Sequence, residues 1–427
     1  MSATRVRMPG RRVAAAAGAL GIVLAAWTGQ DGGGIGGGEV DGGEEAAVVE
    51  EVLTPIVASV STEPTPVTGT DGRMHLAYEL LLINATTTEA TIDSVQAVGG
   101  ETDEVLEEYA GDDLLSHSRV VGEQDTGTTV ELRGGQAAFV WLDVTVGNRE
   151  ALPEVLRHEI AVTFTEAPNP LLPAQLTETV AQTPVSDTPA PVIASPLDGS
   201  NWLTGNGCCA EVSPHRGAAN PINGQYFFAE RFAIDWVQLD EDMQIFDGEP
   251  TEMSSYAYYD APVHAVADGT IVAVVDHIQD QPPGSNPAPG TLQVTEFGGN
   301  HVVQRFEQNG HTYYAFYAHL APGSANEYVE VGQEVDAGDQ VGRLGNSGNT
   351  DSPHLHFHVM DSHNPLASNG LPFVLESQKL VGTAAGEDAL EAALEGEPLQ
   401  LTPAGPSGER EDQMPLMLDV TDLRPAT

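Results

Sequence analysis

The chain has 427 residues, of which 63 are acidic and 16 are basic, so its formal net charge at pH 7 is -47. A surface with this charge repels a phosphate backbone, which excludes nucleic acid as an expected partner. The length is sufficient for two domains with hydrophobic cores of their own, together with an export segment and linkers.

The first residues have the pattern of a targeting signal. Four arginines within residues 5–12 precede an apolar run from Val13 to Trp27 that is short for a transmembrane helix. We therefore predict a signal peptide or an uncleaved N-terminal anchor over residues 1–29, and a secreted or cell-envelope location (periplasm or cell wall). Membrane attachment is expected only through that segment, if it stays uncleaved. Residues 30–50 are rich in glycine and acidic side chains and predict a flexible spacer.

Residues 51–165 have the pattern of short β-strands. Apolar side chains recur at every second position in two runs: Leu76, Tyr78, Leu80, Leu82 and Val140, Leu142, Val144, Val146. Clusters of glycine, asparagine and threonine separate the strands, which predicts an immunoglobulin-like β-sandwich. The histidines of this region are scattered, so we expect a positioning or binding module without a catalytic cluster.

The rest of the chain divides into three parts. Residues 166–191 repeat proline, threonine and alanine, which predicts an interdomain linker. Residues 192–378 contain hairpin signals at Asp268-Gly269 and Asn309-Gly310, which predict an antiparallel β domain. Residues 379–427 are acidic, with one short helical pattern, and are expected to form a peripheral tail.

Cys208 and Cys209 are adjacent and are the only cysteines of the chain. In an oxidising compartment they can form a vicinal or an intermolecular disulfide, although ordinary disulfide geometry does not favour neighbouring residues. The alternative is a pair of small, partly buried thiols. Neither cysteine is needed as a metal ligand.

Three histidines at alternate positions give the clearest sign of chemistry. His354, His356 and His358 lie in a run with the pattern of a β-strand, so they project from one face of it. Asp235, in a second such run, and His319, at the end of a third, supply further groups of the kind that bind zinc. A catalytic zinc ion needs three protein ligands, an open position for water and a helper group near the developing oxyanion.

A succession of short motifs surrounds these residues. They are Tyr317-Ala-His319-Leu320, Val331-Gly332-Gln333, Ala337-Gly338-Asp339, Gly345-Asn-Ser-Gly348 and Pro353-His-Leu-His-Phe357. With these motifs, the region from Pro196 to Leu375 resembles the lysostaphin/LytM-type zinc endopeptidases, which cut peptidoglycan peptides. The resemblance implies an antiparallel β duplicated hybrid motif, or barrel-sandwich hybrid, over residues 192–378. It also implies Zn2+ as the cofactor and a peptidoglycan peptide as the substrate.

The resemblance further implies roles for individual residues. His356 binds the metal together with an upstream histidine and aspartate, and His319 and His354 are the catalytic residues, which flank the metal-bound water and stabilise the tetrahedral intermediate. His358 has no fixed role in the family and is expected to be a groove or surface residue.

The upstream ligands depart from the commonest family pattern, His-x-Gly-x-Asp. The corresponding run is Arg231-Phe-Ala-Ile-Asp235, and an arginine does not lose its proton to bind zinc. His215 is the nearest upstream histidine, and we predict that an intervening loop or hairpin folds back to bring it to Asp235. The predicted metal ligands are therefore His215, Asp235 and His356.

Two functions are compatible with this sequence. The first is an exported zinc metalloendopeptidase that hydrolyses peptide bonds in bacterial peptidoglycan. The second is a catalytically inactive cell-wall binding or regulatory protein that keeps the fold without the metal. A lipoyl or biotinyl carrier domain is excluded because it needs a lysine at a hairpin tip, and Lys379, the only lysine, lies outside the hairpin pattern.

Overall fold

The computed structural model describes residues 51–123, 130–210, 212–403 and 405–426. Strands predominate among them and the helices are short, so the predicted all-β class is confirmed. The helices are α1 (Gly111–Ser116), α2 (Ser324–Tyr328) and α3 (Glu387–Leu394), with single 3-10 turns at Arg149–Ala151, Met253–Ser255 and Val294–Glu296. None of the helices in these ranges is long and apolar enough to cross a membrane. The predicted signal segment or anchor and the predicted spacer, residues 1–50, lie outside the described residues.

The first ten strands form two sheets that share one core. They are β1 (Ile56–Val60), β2 (Val67–Thr68), β3 (Met74–Asn84), β4 (Ala90–Gly99), β5 (Val105–Ala110), β6 (Ser118–Val120), β7 (Glu131–Leu132), β8 (Ala137–Val146), β9 (Val155–Phe164) and β10 (Gln175–Pro184). One five-stranded sheet has the order β1-β3-β8-β6 with β2 beside β3, and the other has the order β10-β9-β4-β5 with β7 beside β4. Every second side chain of β9 is buried, as expected for a sheet with one face on a core. These strands form a β-sandwich, whose immunoglobulin-like type stays a prediction.

The predicted linker is wrong for residues 175–184, which form β10. This strand pairs with β9 and adds an edge to the second sheet. Glu178 of β10 is buried and accepts a hydrogen bond from the Ile56 backbone NH of the first sheet at 2.9 Å. The strand was missed because an edge strand is stabilised by backbone bonds to its neighbour, which the composition of the strand itself does not show.

The remaining strands build the second domain. They are β11 (Val192–Ile193), β12 (Gly199–Gly205), β13 (Asn220–Ile222), β14 (Gln225–Phe227), β15 (Ile234–Gln238), β16 (Pro262–His264), β17 (Gly269–Val275), β18 (Asn300–Gln308), β19 (His311–Leu320), β20 (Glu334–Val335), β21 (Gln340–Arg343), β22 (Leu355–Met360), β23 (Gly370–Leu371), β24 (Val374–Thr383), β25 (Gly408–Gln413) and β26 (Asp419–Leu423). The main sheet has the order β11-β24-β26-β12-β15-β22-β19-β18-β17-β20, with β23 beside β22 and β25 beside β24. Two small pairs, β13-β14 and β16-β21, lie outside it.

Of the two predicted hairpins, the one at Asn309-Gly310 is present and the one at Asp268-Gly269 is not. Asn309 and Gly310 have φ values of 55° and 81° and connect β18 to β19, as a tight hairpin turn requires. The hairpin at Asp268-Gly269 is wrong, because β16 pairs with β21, and β17 pairs with β18 and β20. A Cβ atom at Gly269 would lie 2.3 Å from the carbonyl oxygen of Arg305. This glycine therefore permits a close approach of β17 and β18.

The predicted peripheral tail is also wrong for its strands. β26 lies inside the main sheet, between β24 and β12. Val420 and Leu423 of β26 are buried in the same core as Trp202 and Trp236. The aspartates and threonine within Asp419–Leu423 concealed this strand, since only two of its residues are large apolar ones. By its contacts the chain from Leu53 to Thr427 is one compact unit.

Candidate metal centre

Three neighbouring strands bring the predicted residues of the C-terminal domain together. In the register of β15 and β22, Asp235 is directly opposite His356, and in that of β22 and β19, His356 is opposite Ala318. Directly opposite residues of an antiparallel pair project to the same face of a sheet. His354 precedes β22 and pairs with Gly345 in an isolated bridge. The local alternation of the histidines and the pairing of distant strands therefore produce one polar cluster.

The structure brings the three predicted ligands within reach of one another. Nε2 of His215 lies 3.2 Å from Oδ2 of Asp235, and Nδ1 of His356 lies 3.0 Å from Oδ1 of the same carboxylate. The two imidazole rings are nearly perpendicular, with centroids 4.7 Å apart. One ligand atom from each of the three residues lies within 4.8 Å of the others. Two imidazole nitrogens and one carboxylate oxygen form a donor set that suits zinc.

Two of the predicted ligands, His215 and Asp235, also have hydrogen-bond partners outside the cluster. Nδ1 of His215 donates to the carbonyl oxygen of Ala233 at 3.2 Å, which turns Nε2 toward Asp235. Nδ2 of Asn206 donates to Oδ2 of Asp235 at 2.8 Å. Such contacts orient metal ligands and select the histidine tautomer that can bind a metal, so the residues present fit the ion. Asn206 was not predicted, because a loop asparagine carries no sequence signal of this kind.

His319 and His354 lie beside these ligands. Nδ1 of His319 donates to the carbonyl oxygen of Ser347 at 2.7 Å, and Nδ1 of His354 donates to that of Ser352 at 2.9 Å. The two ring centroids are 4.7 Å apart, and Nε2 of His354 is 3.3 Å from Oδ1 of Asp235. His319 has a φ of 60°, a left-handed conformation that is uncommon for residues with a side chain. Both imidazoles therefore have Nδ1 held by a backbone carbonyl, and Nε2 of His354 also contacts the carboxylate of Asp235.

The electrostatics of the cluster are set by one carboxylate among imidazoles. Burial raises the pKa of Asp235, but the charges of His215 and His354 outweigh it and hold that pKa well below its usual value. Burial lowers the pKa of His215, yet the charge of Asp235 raises it to about 9. For His319, burial and then the neighbouring histidines keep the pKa well below 6.5. Asp235 is therefore ionised and His319 neutral at neutral pH.

His358 is not the groove or surface residue that the sequence predicted. Its exposed fraction is 1%, and its ring packs against Phe316 with centroids 5.0 Å apart. Its Nδ1 lies 2.9 Å from Nε2 of His356. The spacing of two residues on one strand was the sequence signal for this contact, since such residues lie side by side on a face. His358 thus supports a predicted ligand.

Two cavities differ in their relation to these residues. A small one of about 20 Å3 borders His319 and His356 and is also lined by Glu230, Phe297 and Leu366. A larger one of about 500 Å3 lies elsewhere, against the disulfide between Cys208 and Cys209, and is lined by none of the five predicted site residues. The small cavity is therefore the one adjoining the candidate metal centre.

Comparison with known proteins gives a match in the same part of the chain. Residues 253–368 match the sequence profile described as Peptidase family M23, a range that contains His319, His354 and His356. Peptidoglycan DD-endopeptidase ShyA of Vibrio cholerae is 30% identical over 105 residues, which are 25% of this chain and 19% of that relative. The match therefore spans about a fifth of the relative's length.

Three solved structures that resemble this chain are distant from it in sequence. The catalytic domain of lysostaphin from Staphylococcus simulans is 23% identical, with 36% of this chain and 86% of that chain covered and a TM-score of 0.21. A putative peptidase M23 from Pseudomonas aeruginosa is 14% identical over 65% of this chain and 86% of that chain, with a TM-score of 0.23. A zinc-containing peptidase from Vibrio cholerae is 13% identical over 67% and 78%, with a TM-score of 0.23. At these scores the geometry of those sites is not comparable with the one described above.

Proposed function

We propose, from the match of residues 253–368 to the profile of peptidase family M23, that this protein is an exported zinc metalloendopeptidase that hydrolyses peptide bonds in bacterial peptidoglycan. The observation that carries the proposal is the convergence of His215, Asp235 and His356, from three separate segments of the chain, on one point. The substrate class is supported by the likeness of this domain to a peptidoglycan endopeptidase. The disulfide between Cys208 and Cys209 supports an oxidising, extracytoplasmic location.

Nε2 of His215, a carboxylate oxygen of Asp235 and Nδ1 of His356 are the atoms that would hold the ion. Zinc held by three protein ligands supplies a Lewis acid, which polarises a peptide carbonyl and brings the pKa of water to roughly 7. The negative charge of Asp235 favours a cation among its neighbours, and the hydrogen bond from Asn206 keeps the carboxylate oriented. The four histidines His215, His319, His354 and His356 are buried, and burial strengthens interactions between charges.

His319 and His354 are the proposed catalytic residues. With Nδ1 occupied by a backbone carbonyl, each imidazole can accept a proton at Nε2 and, once protonated, can donate it. In this role they take up the proton of the attacking water, stabilise the oxyanion that develops on the scissile carbonyl and return a proton to the leaving amine. Their rings lie 4.7 Å apart, so both can reach groups around one peptide bond.

The second function considered for the sequence, an inactive cell-wall protein, assumed that one ligand was missing. The contact between His215 and Asp235 supports the enzyme instead, because it supplies the third ligand that Arg231 does not provide. Retention of His319 and His354 beside the ligands supports it further, since a protein that only binds cell wall has no need of them.

Digestion of purified peptidoglycan with the full-length protein tests the proposal. We expect release of fragments whose masses correspond to cleaved peptide bonds, loss of this activity with a chelator and its recovery on addition of zinc. Metal analysis of the same preparation should give about one zinc per chain. Intact peptidoglycan, together with a protein that binds no zinc, would establish the inactive alternative.

A further inference from the structure

His215 differs from the other two proposed ligands in the part of the fold that holds it in place. Asp235 and His356 belong to β15 and β22 of the main sheet, whereas His215 lies in residues 206–231, which we call the ligand segment. In the described part of this segment the only strands are the short pair β13 and β14, which lie outside the main sheet. Its position must therefore come from other contacts, because a loop without a sheet neighbour has no backbone ladder to hold it.

Arg216, the residue after His215, is anchored in the N-terminal sandwich. The side chain is fully buried, and its Nη2 donates to the carbonyl oxygen of Leu142 in β8 at 3.0 Å. Its Nη1 donates to the carbonyl oxygen of Cys209 within the ligand segment. The guanidinium thus connects the ligand segment to the sandwich at the position next to His215.

Two side chains of the sandwich donate hydrogen bonds to backbone carbonyl oxygens of the ligand segment. Nη2 of Arg119 donates to the carbonyl oxygen of Gly217 at 2.7 Å, two residues after His215. Nε2 of His117 donates to the carbonyl oxygen of Ala210 at 2.8 Å. Backbone carbonyls on both sides of His215 therefore have donors from the sandwich.

The end of the ligand segment is held by a buried ion pair. Nε and Nη2 of Arg231 donate to Oε1 and Oε2 of Glu79 in β3 at 2.7 and 2.5 Å. Both side chains are nearly inaccessible, at 4% and 0%. A two-bond pair of this kind fixes direction as well as distance. The arginine that stands in place of the usual family histidine therefore joins the segment to the sandwich.

Aromatic packing completes the contact. Phe139 and Trp141 of β8 form a cluster with Phe228 of the ligand segment. The rings of Phe139 and Phe228 meet edge to face with centroids 5.4 Å apart, and Tyr226 approaches Phe139 at 4.9 Å. Apolar burial and charge-assisted bonds thus act on the same segment.

We propose that the N-terminal sandwich is a positioning part of the metal centre: by binding the ligand segment it holds His215 beside Asp235 and thereby sets the affinity for zinc. The proposal rests on the proposed function, because it takes His215 as a ligand. A ligand already held in place loses little conformational freedom when the metal binds, whereas a released segment must be ordered at that moment. By linkage, zinc must in turn strengthen the contact between the ligand segment and the sandwich.

Sandwich variants of the full-length protein test this inference. Arg119→Met removes the bond to Gly217 while keeping an apolar stem over Trp141, and Glu79→Gln weakens the pair with Arg231. We expect each to bind zinc about 10- to 100-fold more weakly in competition with a chromophoric chelator. Backbone amides of residues 212–219 should exchange hydrogen faster, as measured by mass spectrometry. Should Glu79→Gln fail to fold, Arg119→Met, at a partly exposed position, carries the test.

A matched control separates this role from general stability. Ile160 is buried in the other sheet of the sandwich, so Ile160→Ala lowers the melting temperature without removing a bond to the ligand segment. We expect this variant to keep wild-type zinc affinity and wild-type exchange at residues 212–219. If a folded Arg119→Met protein had wild-type zinc affinity and wild-type hydrogen exchange at residues 212–219, this inference would be overturned and the proposed function would stand. A wild-type protein that binds no zinc would overturn the proposed function, and the inference with it.

Discussion

Nε2 of His356 lies 2.9 Å from Nδ1 of His358, and this contact sets which nitrogen of His356 faces Asp235. With a cation bound at Nδ1, which lies 3.0 Å from Oδ1 of Asp235, Nε2 of His356 would carry the proton and donate it to Nδ1 of His358. The remaining nitrogen of His358, Nε2, is buried and has no hydrogen-bond partner among the described residues. His358 therefore contacts the candidate metal centre through His356.

Replacing His358 should weaken metal binding without removing a ligand. We expect His358→Phe to lower zinc affinity by about 10- to 100-fold, because His356 then loses the acceptor that fixes its tautomer. His358→Gln should recover most of this loss, since an amide oxygen also accepts a hydrogen bond. Competition with a chelator measures the zinc affinity of both variants. Equal affinity of the phenylalanine variant and the wild type would show that the contact has no such role.

His215→Ala should remove one of three proposed ligands. We expect zinc affinity to fall by more than about 100-fold, with loss of peptidoglycan cleavage. The matched control is His277→Ala, because the side chain of His277 is 68% exposed and its ion-pair partner among the described residues is Glu296. Metal analysis after dialysis distinguishes the two variants. If His215→Ala kept its full zinc content, a residue other than His215 would be the third ligand.

His319→Ala and His354→Ala should separate catalysis from metal binding. Each variant is expected to retain about one zinc per chain and to lose about 100- to 1000-fold in kcat, since a proton carrier and an oxyanion donor are lost. His311→Ala, at an exposed position at the start of β19, serves as the control and should keep wild-type turnover. If His319→Ala or His354→Ala kept the wild-type kcat, that histidine would not have the catalytic role proposed for it.

The stability of the sandwich should fall at alkaline pH through His75. Burial lowers the pKa of His75, but Asp143 at 3.0 Å and Asp71 at 3.3 Å raise it to about 9. Because the folded-state pKa exceeds the unfolded value of 6.5, the stabilisation is fully present below pH 6.5 and is lost as the pH rises through 9.

Urea unfolding at pH 6.5, 8 and 9.5 measures this effect. We expect the free energy of unfolding to decrease by about 1–3 kcal/mol over this range. His75→Gln should flatten that dependence, because glutamine does not titrate. An equally steep decrease in the variant would assign the effect to other groups.

The strand β26 should be required for the stability of the second domain. Leu423 is 1% exposed in the main core, so Leu423→Ala is expected to lower the free energy of unfolding by about 2–4 kcal/mol. Leu394→Ala, at a position 56% exposed in α3, should change it by less than about 0.5 kcal/mol. Similar melting temperatures for the two variants would show that residues 419–423 do not stabilise the second domain.

Local sequence patterns predicted those features that depend on neighbouring residues. The alternation of His354, His356 and His358 placed them on one face, because side-chain direction along a strand is a local property. Asn309-Gly310 predicted its turn, because positive φ at both positions is an intrinsic preference of those residues. The strands β10 and β26 escaped prediction, because their stability comes from partners distant in the sequence.

The sequence by itself therefore determined the all-β class, the residue types of the candidate metal site and the family that they resemble. Only the tertiary structure decided that Asp235 faces His356, that His358 supports it, and that His215 reaches the same point from a segment held by the sandwich. The reason is physical: ligand chemistry belongs to individual side chains, whereas the distance between two ligands depends on strand register and packing between segments far apart in the chain.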